Sequence, residues 1–186
     1  LENSSFKDPD AAVFICNGEI YRKINYQYKE SYDHLMSSGL YQFLIEKKLL
    51  VNHVEVENKD DTAYKTIKPE KVFISYPWEW SFSQLKDAAL TTLEIQKIAL
   101  EYGMSLKDAN CYNIQFGSGK PVFIDTSSFE KYINGQPWTA YKQFCENFLA
   151  PLLLMSLKDI RLNSLLTTNI NGIPLDLVSK LLPFST

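Results

Sequence analysis

Apolar positions along this chain alternate between a period of two and a period near 3.6, and the switches mark out its elements. Ala11 to Cys16 is a short apolar run ended by Asn17-Gly18, a dipeptide of tight hairpin turns. The returning segment, Glu19 to Asn25, places Ile20, Arg22 and Ile24 on one face and Tyr21, Lys23 and Asn25 on the other. One basic residue therefore turns toward the core and needs an anionic partner. Between Ser31 and Lys48 the spacing of Leu35, Leu40, Tyr41, Leu44 and Ile45 predicts a first helix, with Ser31 as its cap and Gly39 as a weak point. Short strands are expected over Leu49 to Val56, Tyr64 to Ile67 and Val72 to Ser75. Leu1 to Asp10 reads as a loop and Glu57 to Asp61 as a charged turn.

Beyond Tyr76-Pro77-Trp78-Glu79-Trp80 the pattern becomes helical. Leu85, Ala88, Ala89, Thr92, Leu93, Ile95, Gln96 and Ala99 predict a helix that starts at Ser81 and closes at Gly103. Two strands, Ile114 to Phe116 and Pro121 to Ile124, are joined by Gly117-Ser118-Gly119-Lys120. Helices are then expected over Trp138 to Leu154, Leu157 to Leu166 and Leu175 to Leu182. Strands first and helices afterwards define an α+β class. The expected layout is an N-terminal sheet-and-helix lobe over residues 1–75, a hinge at 76–80 and a helical lobe over 81–186.

Composition narrows the function. A net charge of -3, from 19 basic and 22 acidic residues, supplies no basic surface for phosphate backbones, so no nucleic-acid partner is expected. No apolar run approaches the ~18 residues of a membrane span; Phe148 to Met155 is broken by Pro151. Cys16, Cys111 and Cys145 form no CxxC pair, which argues against structural zinc and fits a reducing, cytoplasmic setting. The chain starts at Leu1 without a basic-then-apolar leader and reads as part of a longer protein.

Candidate chemistry concentrates between Leu106 and Glu130. Asp108 and Asn113 stand five apart in a loop between a long helix and a strand, and Asp125 ends the next strand. A hairpin brings the three together. Two carboxylates and an amide suit phosphoryl transfer, where the protein mostly positions a hydroxyl, a metal and a triphosphate. Asp108 can orient or deprotonate a hydroxyl, while Asn113 and Asp125 offer the hard oxygens that Mg2+ prefers. The plain alternative is that Asp and Asn cap turns. Tyr76, Trp78 and Trp80 can stack on a flat ligand or fill the joint between lobes.

With Asp108 to Asn113 in Asp-x-x-x-x-Asn spacing and Asp125 in the place of the Asp-Phe-Gly aspartate, the chain resembles the protein-kinase-like fold. That resemblance implies ATP and Mg2+ as ligands, and either Arg22 or Lys23 as the cation that meets the phosphates. Among Glu30, Asp33 and Glu46, it makes Asp33 the best placed helix partner for that cation. Tyr76 and Trp78 then belong to the nucleotide site. The chain lacks a Gly-x-Gly-x-x-Gly loop, has Leu106-Lys107 where His-Arg would precede the loop aspartate, and has Asp125-Thr-Ser in place of Asp-Phe-Gly.

A second resemblance rests on Tyr32-Asp-His-Leu-Met-Ser-Ser-Gly-Leu-Tyr41, on Ile74-Ser-Tyr-Pro-Trp-Glu-Trp-Ser-Phe-Ser-Gln-Leu-Lys-Asp-Ala-Ala-Leu90 and on Ser105-Leu-Lys-Asp-Ala. These strings look like the N-terminal region of a bacterial family of SAM-dependent methyltransferases related to nodulation proteins. The resemblance implies a methyltransferase domain elsewhere in the parent chain as partner. SAM would bind there, because this chain has no Gly-rich strand-to-helix turn. Two functions remain open: a Mg-dependent nucleotide-binding or phosphotransferase-like module acting on a small molecule, and a non-catalytic module that docks substrate or partner for the methyltransferase.

Overall fold

The computed structural model describes residues 9–57 and 62–182. Most of the loop expected over Leu1 to Asp10 and of the charged turn expected over Glu57 to Asp61 lies outside them. Strands β1 (Ala11–Cys16) and β2 (Glu19–Asn25) form the expected hairpin, with Asn17 and Gly18 both at positive φ, as a two-residue turn requires. Strands β3 (His53–Val56) and β4 (Ala63–Pro69) complete a four-stranded antiparallel sheet in the order β1-β2-β4-β3. Arg22 stands opposite Val13 on one side and Ile67 on the other, so the Arg22 face of β2 is the inner face. Ile24 and Ile67 are buried there under Tyr28 and Tyr32.

The expected first helix is two helices, α1 (Lys29–Ser37) and α2 (Leu40–Glu46). Gly39 divides them at φ 89°, in the left-handed region that stops a helix and starts the next at a new angle. Only the last four residues of the strand expected over Leu49 to Val56 join the sheet. Leu49 and Val51 instead exchange backbone hydrogen bonds of 2.8 Å with Phe123, in the other half of the chain. Val72 to Ser75 is an irregular linker rather than a strand: Pro69 ends the ladder, and Ser75 is taken by the side chain of Gln115.

Helix α3 (Phe82–Glu101) begins at a capping box in which Ser81 and Gln84 bond reciprocally, and its chain turns away at Gly103, φ 70°. Its buried stripe, Leu85, Ala88, Ala89, Thr91, Thr92, Ile95, Gln96 and Ala99, follows the expected spacing except at Leu93, which is exposed, and at Thr91, which is buried in its stead. Strands β5 (Met104–Leu106), β6 (Ile114–Gly117), β7 (Lys120–Phe123) and β8 (Phe129–Lys131) follow; β6 pairs with β7 and β5 with β8. The β5–β8 pair has too few residues to show a period. Helix α4 (Tyr141–Phe144) passes through a π turn, Cys145–Leu149, into α5 (Ala150–Leu157). Pro151 sits just past the wide turn; it lacks an N–H and its ring crowds the carbonyl four residues earlier, which a π turn relieves. The helix expected over Leu157 to Leu166 is a 3₁₀ helix, Ile160–Thr167, capped by Asp159, and α6 (Leu175–Leu181) closes the described chain.

The main core runs through both halves. Leu35, Leu40, Leu44 and Leu50 pack with Leu85, Ile95, Leu106, Ile114, Phe123, Phe129 and Phe148. The molecule is α+β: an N-terminal sheet with two helices, an extended linker, then a mostly helical part whose β6–β7 hairpin lies against the first. Hairpin, helices, strands, linker and helical part follow one another in the order expected from the sequence.

Candidate functional site

The β6–β7 hairpin decides where the sequence-predicted polar residues meet. Ile124 donates to the Asn113 carbonyl at 2.8 Å, one step beyond the Ile114–Phe123 pair, so Asn113 and Asp125 flank the open end of the hairpin. Asp125 caps the 3₁₀ turn Thr126–Ser128, accepting from the Ser127 N–H at 2.8 Å and the Ser127 hydroxyl at 2.6 Å. The Asp108 loop is tied to the same turn. Lys107 N–H donates to the Ser128 carbonyl at 2.9 Å, and the Asn113 amide donates to the Ser128 hydroxyl at 3.2 Å. Asp108 accepts from the Asn110 N–H at 2.9 Å, the Asx turn its composition allows. Capping and gathering are thus the same event here.

Arg22 reaches across from β2. Its guanidinium is ion-paired with Asp125 Oδ1 and donates to the Ser127 hydroxyl at 2.9 Å. The two charged side chains are only 14% and 15% exposed, so removing either partner would strand a largely desolvated charge. Of the two basic residues left open by the sequence, Arg22 is the one beside Asp125. Lys23 points to the opposite face of the sheet, over the Phe14 ring at 5.6 Å. Asp33 is exposed on α1 and accepts from the Tyr64 hydroxyl at 2.6 Å, so the cation expected to pair with it pairs with Asp125 instead. The reason is register: Arg22 lies on the inner face toward the hairpin, while Asp33 lies on the solvent side of its helix.

Tyr76 and Trp78 stack on each other, 4.7 Å apart and 1° from parallel, at the linker. Trp78 meets Tyr112, which lies in the Asp108–Asn113 loop, edge-on at 6.0 Å. Trp80 is buried and donates to Ser75 at 2.8 Å, which is a packing role.

A second set of contacts braces the site and was not visible in the sequence. The Tyr28 hydroxyl sits between the carbonyls of Thr126 and Phe129, at 3.1 and 2.6 Å. Lys107 pairs with Asp10 and lies over the Tyr28 ring, 4.7 Å from its centre. Burial raises the Asp10 pKa, but the hydrogen bonds from Lys107 and Gln27 and the Lys107 charge outweigh it, leaving the carboxyl below its ordinary value. No local signal could have announced these pairs, because Asp10 and Lys107 are 97 residues apart. Cys111 is buried beside the loop, its thiol pushed up to about 12 chiefly by desolvation, so it is no thiolate nucleophile.

Each gathered residue keeps one uncommitted oxygen. The bonds to Asp125 all go to Oδ1, Asp108 accepts through Oδ1, and Asn113 engages only its amide nitrogen. Asp125 Oδ2, Asp108 Oδ2 and Asn113 Oδ1 have no hydrogen bond among the described residues. No group of three or more His, Cys, Asp or Glu side chains among those residues is placed to hold a metal. Asp125 Oδ2 and Asn113 Oδ1 are hard oxygens of the kind that Mg2+ takes as ligands. Among the described residues, no helix is long and apolar enough to cross a membrane.

No protein-family model matches the chain. It is similar to the nodulation protein NoeA of Rhizobium meliloti (strain 1021), 36% identical over 176 residues. The alignment covers 91% of this chain and 37% of NoeA, so the chain spans little more than a third of that relative's length. Among solved structures it is similar to WaaP in complex with acyl carrier protein, at 12% identity and a TM-score of 0.37, over 95% of this chain and 80% of that one. At that score the likeness adds no weight to the fold described above.

Proposed function

We propose that the chain is a kinase-like, Mg2+-dependent nucleotide-binding or phosphotransferase-like module of a longer protein, acting on a small molecule. The observation that carries this reading is the meeting of Arg22, Asn113 and Asp125 at one turn, with Asp108 tied to it through Ser128. Asn113 Oδ1 and Asp125 Oδ2 are the protein ligands of the metal, which supplies charge neutralisation for the phosphates of ATP. Arg22 answers a phosphate oxygen while remaining beside Asp125. Asp108 faces the acceptor hydroxyl, orienting it and taking its proton. The N-terminal resemblance and the greater length of NoeA support a parent chain that holds a SAM-binding methyltransferase domain, which this module serves in the cytoplasm.

A thermal-shift titration with ATP, with and without Mg2+, tests the reading. At ~100 times its dissociation constant a ligand adds about 2.7 kcal/mol of stability, a rise of several degrees for a domain of this size. The expected rise requires Mg2+, and Asn113→Ala, which leaves the Arg22–Asp125 pair in place, loses the Mg2+-dependent part. No shift at millimolar ATP and Mg2+ would reject nucleotide binding.

One observation favours a second reading. Arg22 and Asp125 already neutralise each other, and Gln115 occupies the polar edge of the linker through Ser75 N–H at 2.8 Å and Ser75 carbonyl at 3.2 Å. A scaffold closed in this way, without a Gly-rich loop, serves as a non-catalytic docking module for substrate or partner. The same titration separates the two, since a docking module gives no nucleotide shift.

A further inference from the structure

The loop from Asp108 to Asn113 is held by a helix that the proposed chemistry does not use. Every backbone N–H from Ala109 to Asn113 has a partner. Three of these bonds lie within the loop: Asn110 to Asp108 at 2.9 Å, Tyr112 to the Asn110 side chain at 3.0 Å, and Asn113 to the Asn110 carbonyl at 3.0 Å. The other two come from outside. Gln143 Oε1 accepts from Ala109 at 2.7 Å, and Asn147 Oδ1 accepts from the Cys111 N–H at 3.3 Å and its thiol at 3.1 Å.

Asn147 is fully buried, and all four of its hydrogen-bonding positions are used. Besides the two bonds from Cys111, its Nδ2 donates to the Gln143 carbonyl at 3.0 Å and to the Asn171 carbonyl at 3.2 Å. It lies within the π turn Cys145–Leu149, four residues after Gln143, so the two amides stand on one side of the helix and reach N–H groups on either side of Asn110. Chain segment 171–173 crosses close above. A Cβ on Gly172 would come within 2.7 Å of Glu146 Cβ and 2.8 Å of Asn147 Nδ2. π turns inside α-helices frequently mark functional sites, and a buried amide with every bond made fixes one local geometry.

We propose that Asn147, with Gln143, is a positioning residue: through the N–H groups of Ala109 and Cys111 it sets the loop conformation that aims Asp108 and Asn113 at a common ligand. The ligand identity rests on the nucleotide reading above; the clamp itself does not. Neither residue touches the ligand.

The experiment compares Asn147→Ala, Gln143→Leu and Gln143→Glu in the chain as it stands. Gln143→Glu keeps the accepting oxygen and serves as the conservative rescue. Hydrogen–deuterium exchange is read on peptides spanning 107–113 and on the α3 and β1–β2 peptides, and Mg2+-ATP affinity by calorimetry. Loss of one such hydrogen bond is expected to speed exchange in the loop about tenfold, with α3 unchanged. Mg2+-ATP affinity then falls about tenfold while metal-free ATP affinity holds, and Gln143→Glu behaves as wild type. Exchange that rises uniformly, or not at all in the loop, overturns the clamp. Faster loop exchange with unaltered Mg2+-ATP affinity overturns the positioning role and leaves a structural one. If the wild-type chain binds no nucleotide, that reading falls by itself, and the exchange data still decide the clamp. Should Asn147→Ala fail to fold, the Gln143 pair carries the same comparison.

Discussion

At the scale of single residues, the polar side chains divide by what they face. Arg22 and Asp125 meet each other across the junction of the two halves, whereas His53 faces inward and meets tyrosines. Tyr32 and His53 Nε2 are 3.1 Å apart, and Nδ1 has no partner among the described residues. Burial, with a smaller push from the Arg22 charge, holds the imidazole down to about 4, against an opposing pull from Glu55. The unfolded chain takes up that proton near 6.5 and the folded chain does not. Stability from this group is therefore complete above about pH 6.5 and declines as pH falls toward 4, by at most ~1.4 kcal/mol per pH unit. Urea unfolding at pH 7, 6 and 5 should show the decline in the wild type and a flatter profile in His53→Gln. An unchanged slope in the variant would remove His53 as the cause.

Residue placements were partly legible in the chain itself. Asp108, Asn113 and Asp125 stand out by type and spacing, and the hairpin between them is a local signal. The choice between Arg22 and Lys23 was not legible, because alternation says only that they face opposite ways. Which face is inner depends on where the second half of the molecule packs. Asp33 stood out as the cation's partner on helix order alone, but its rotational position on α1 turns it to Tyr64.

At the scale of elements, turn chemistry decided more than propensity. Asn17-Gly18, Ser81 with Gln84 and Gly103 carry their own stop and start instructions, and the hairpin and α3 appear where those signals put them. Gly39 splits a helix that periodicity alone would run through. The 3₁₀ helix Ile160–Thr167, which packs against α5, has an apolar spacing that does not distinguish it from an α-helix. Gly172 is the element-level position with the least room. Its φ of 106° and the contacts a Cβ would make predict that Gly172→Ala lowers stability by roughly 1–3 kcal/mol, measured as a shift in the urea midpoint. Because that loop contacts Asn147, faster exchange at 109–111 should accompany the loss. Gly119 at φ 78° has open space around it and serves as the control, paying only the backbone strain.

At the scale of the whole molecule, the two halves are joined by more than the linker. Leu49–Val51 bonds to Phe123, Arg22 to Asp125, and one core runs through both. All the described strand pairings are antiparallel apart from a single Leu50–Phe123 bridge, so no parallel strand–helix–strand unit exists there to receive a dinucleotide-like ligand. Calorimetric titration of this chain with SAM should accordingly give no saturable heat; a measurable affinity would place methyl-donor binding within these residues.

Sequence by itself determined the α+β order, the opening hairpin, the long capped helix and the identity of the three polar residues at the second hairpin. Each of those is written in contacts a few residues apart, through turn-forming glycines, capping side chains and the period of apolar positions. Only the tertiary structure decided that Arg22 and not Lys23 meets Asp125, that Ser128 ties the Asp108 loop to the Asp125 turn, and that Gln143 and Asn147 grip that loop from a π turn. These depend on groups tens of residues apart approaching within hydrogen-bond distance. Such approach is set by how the shared core packs, and no local spacing encodes it.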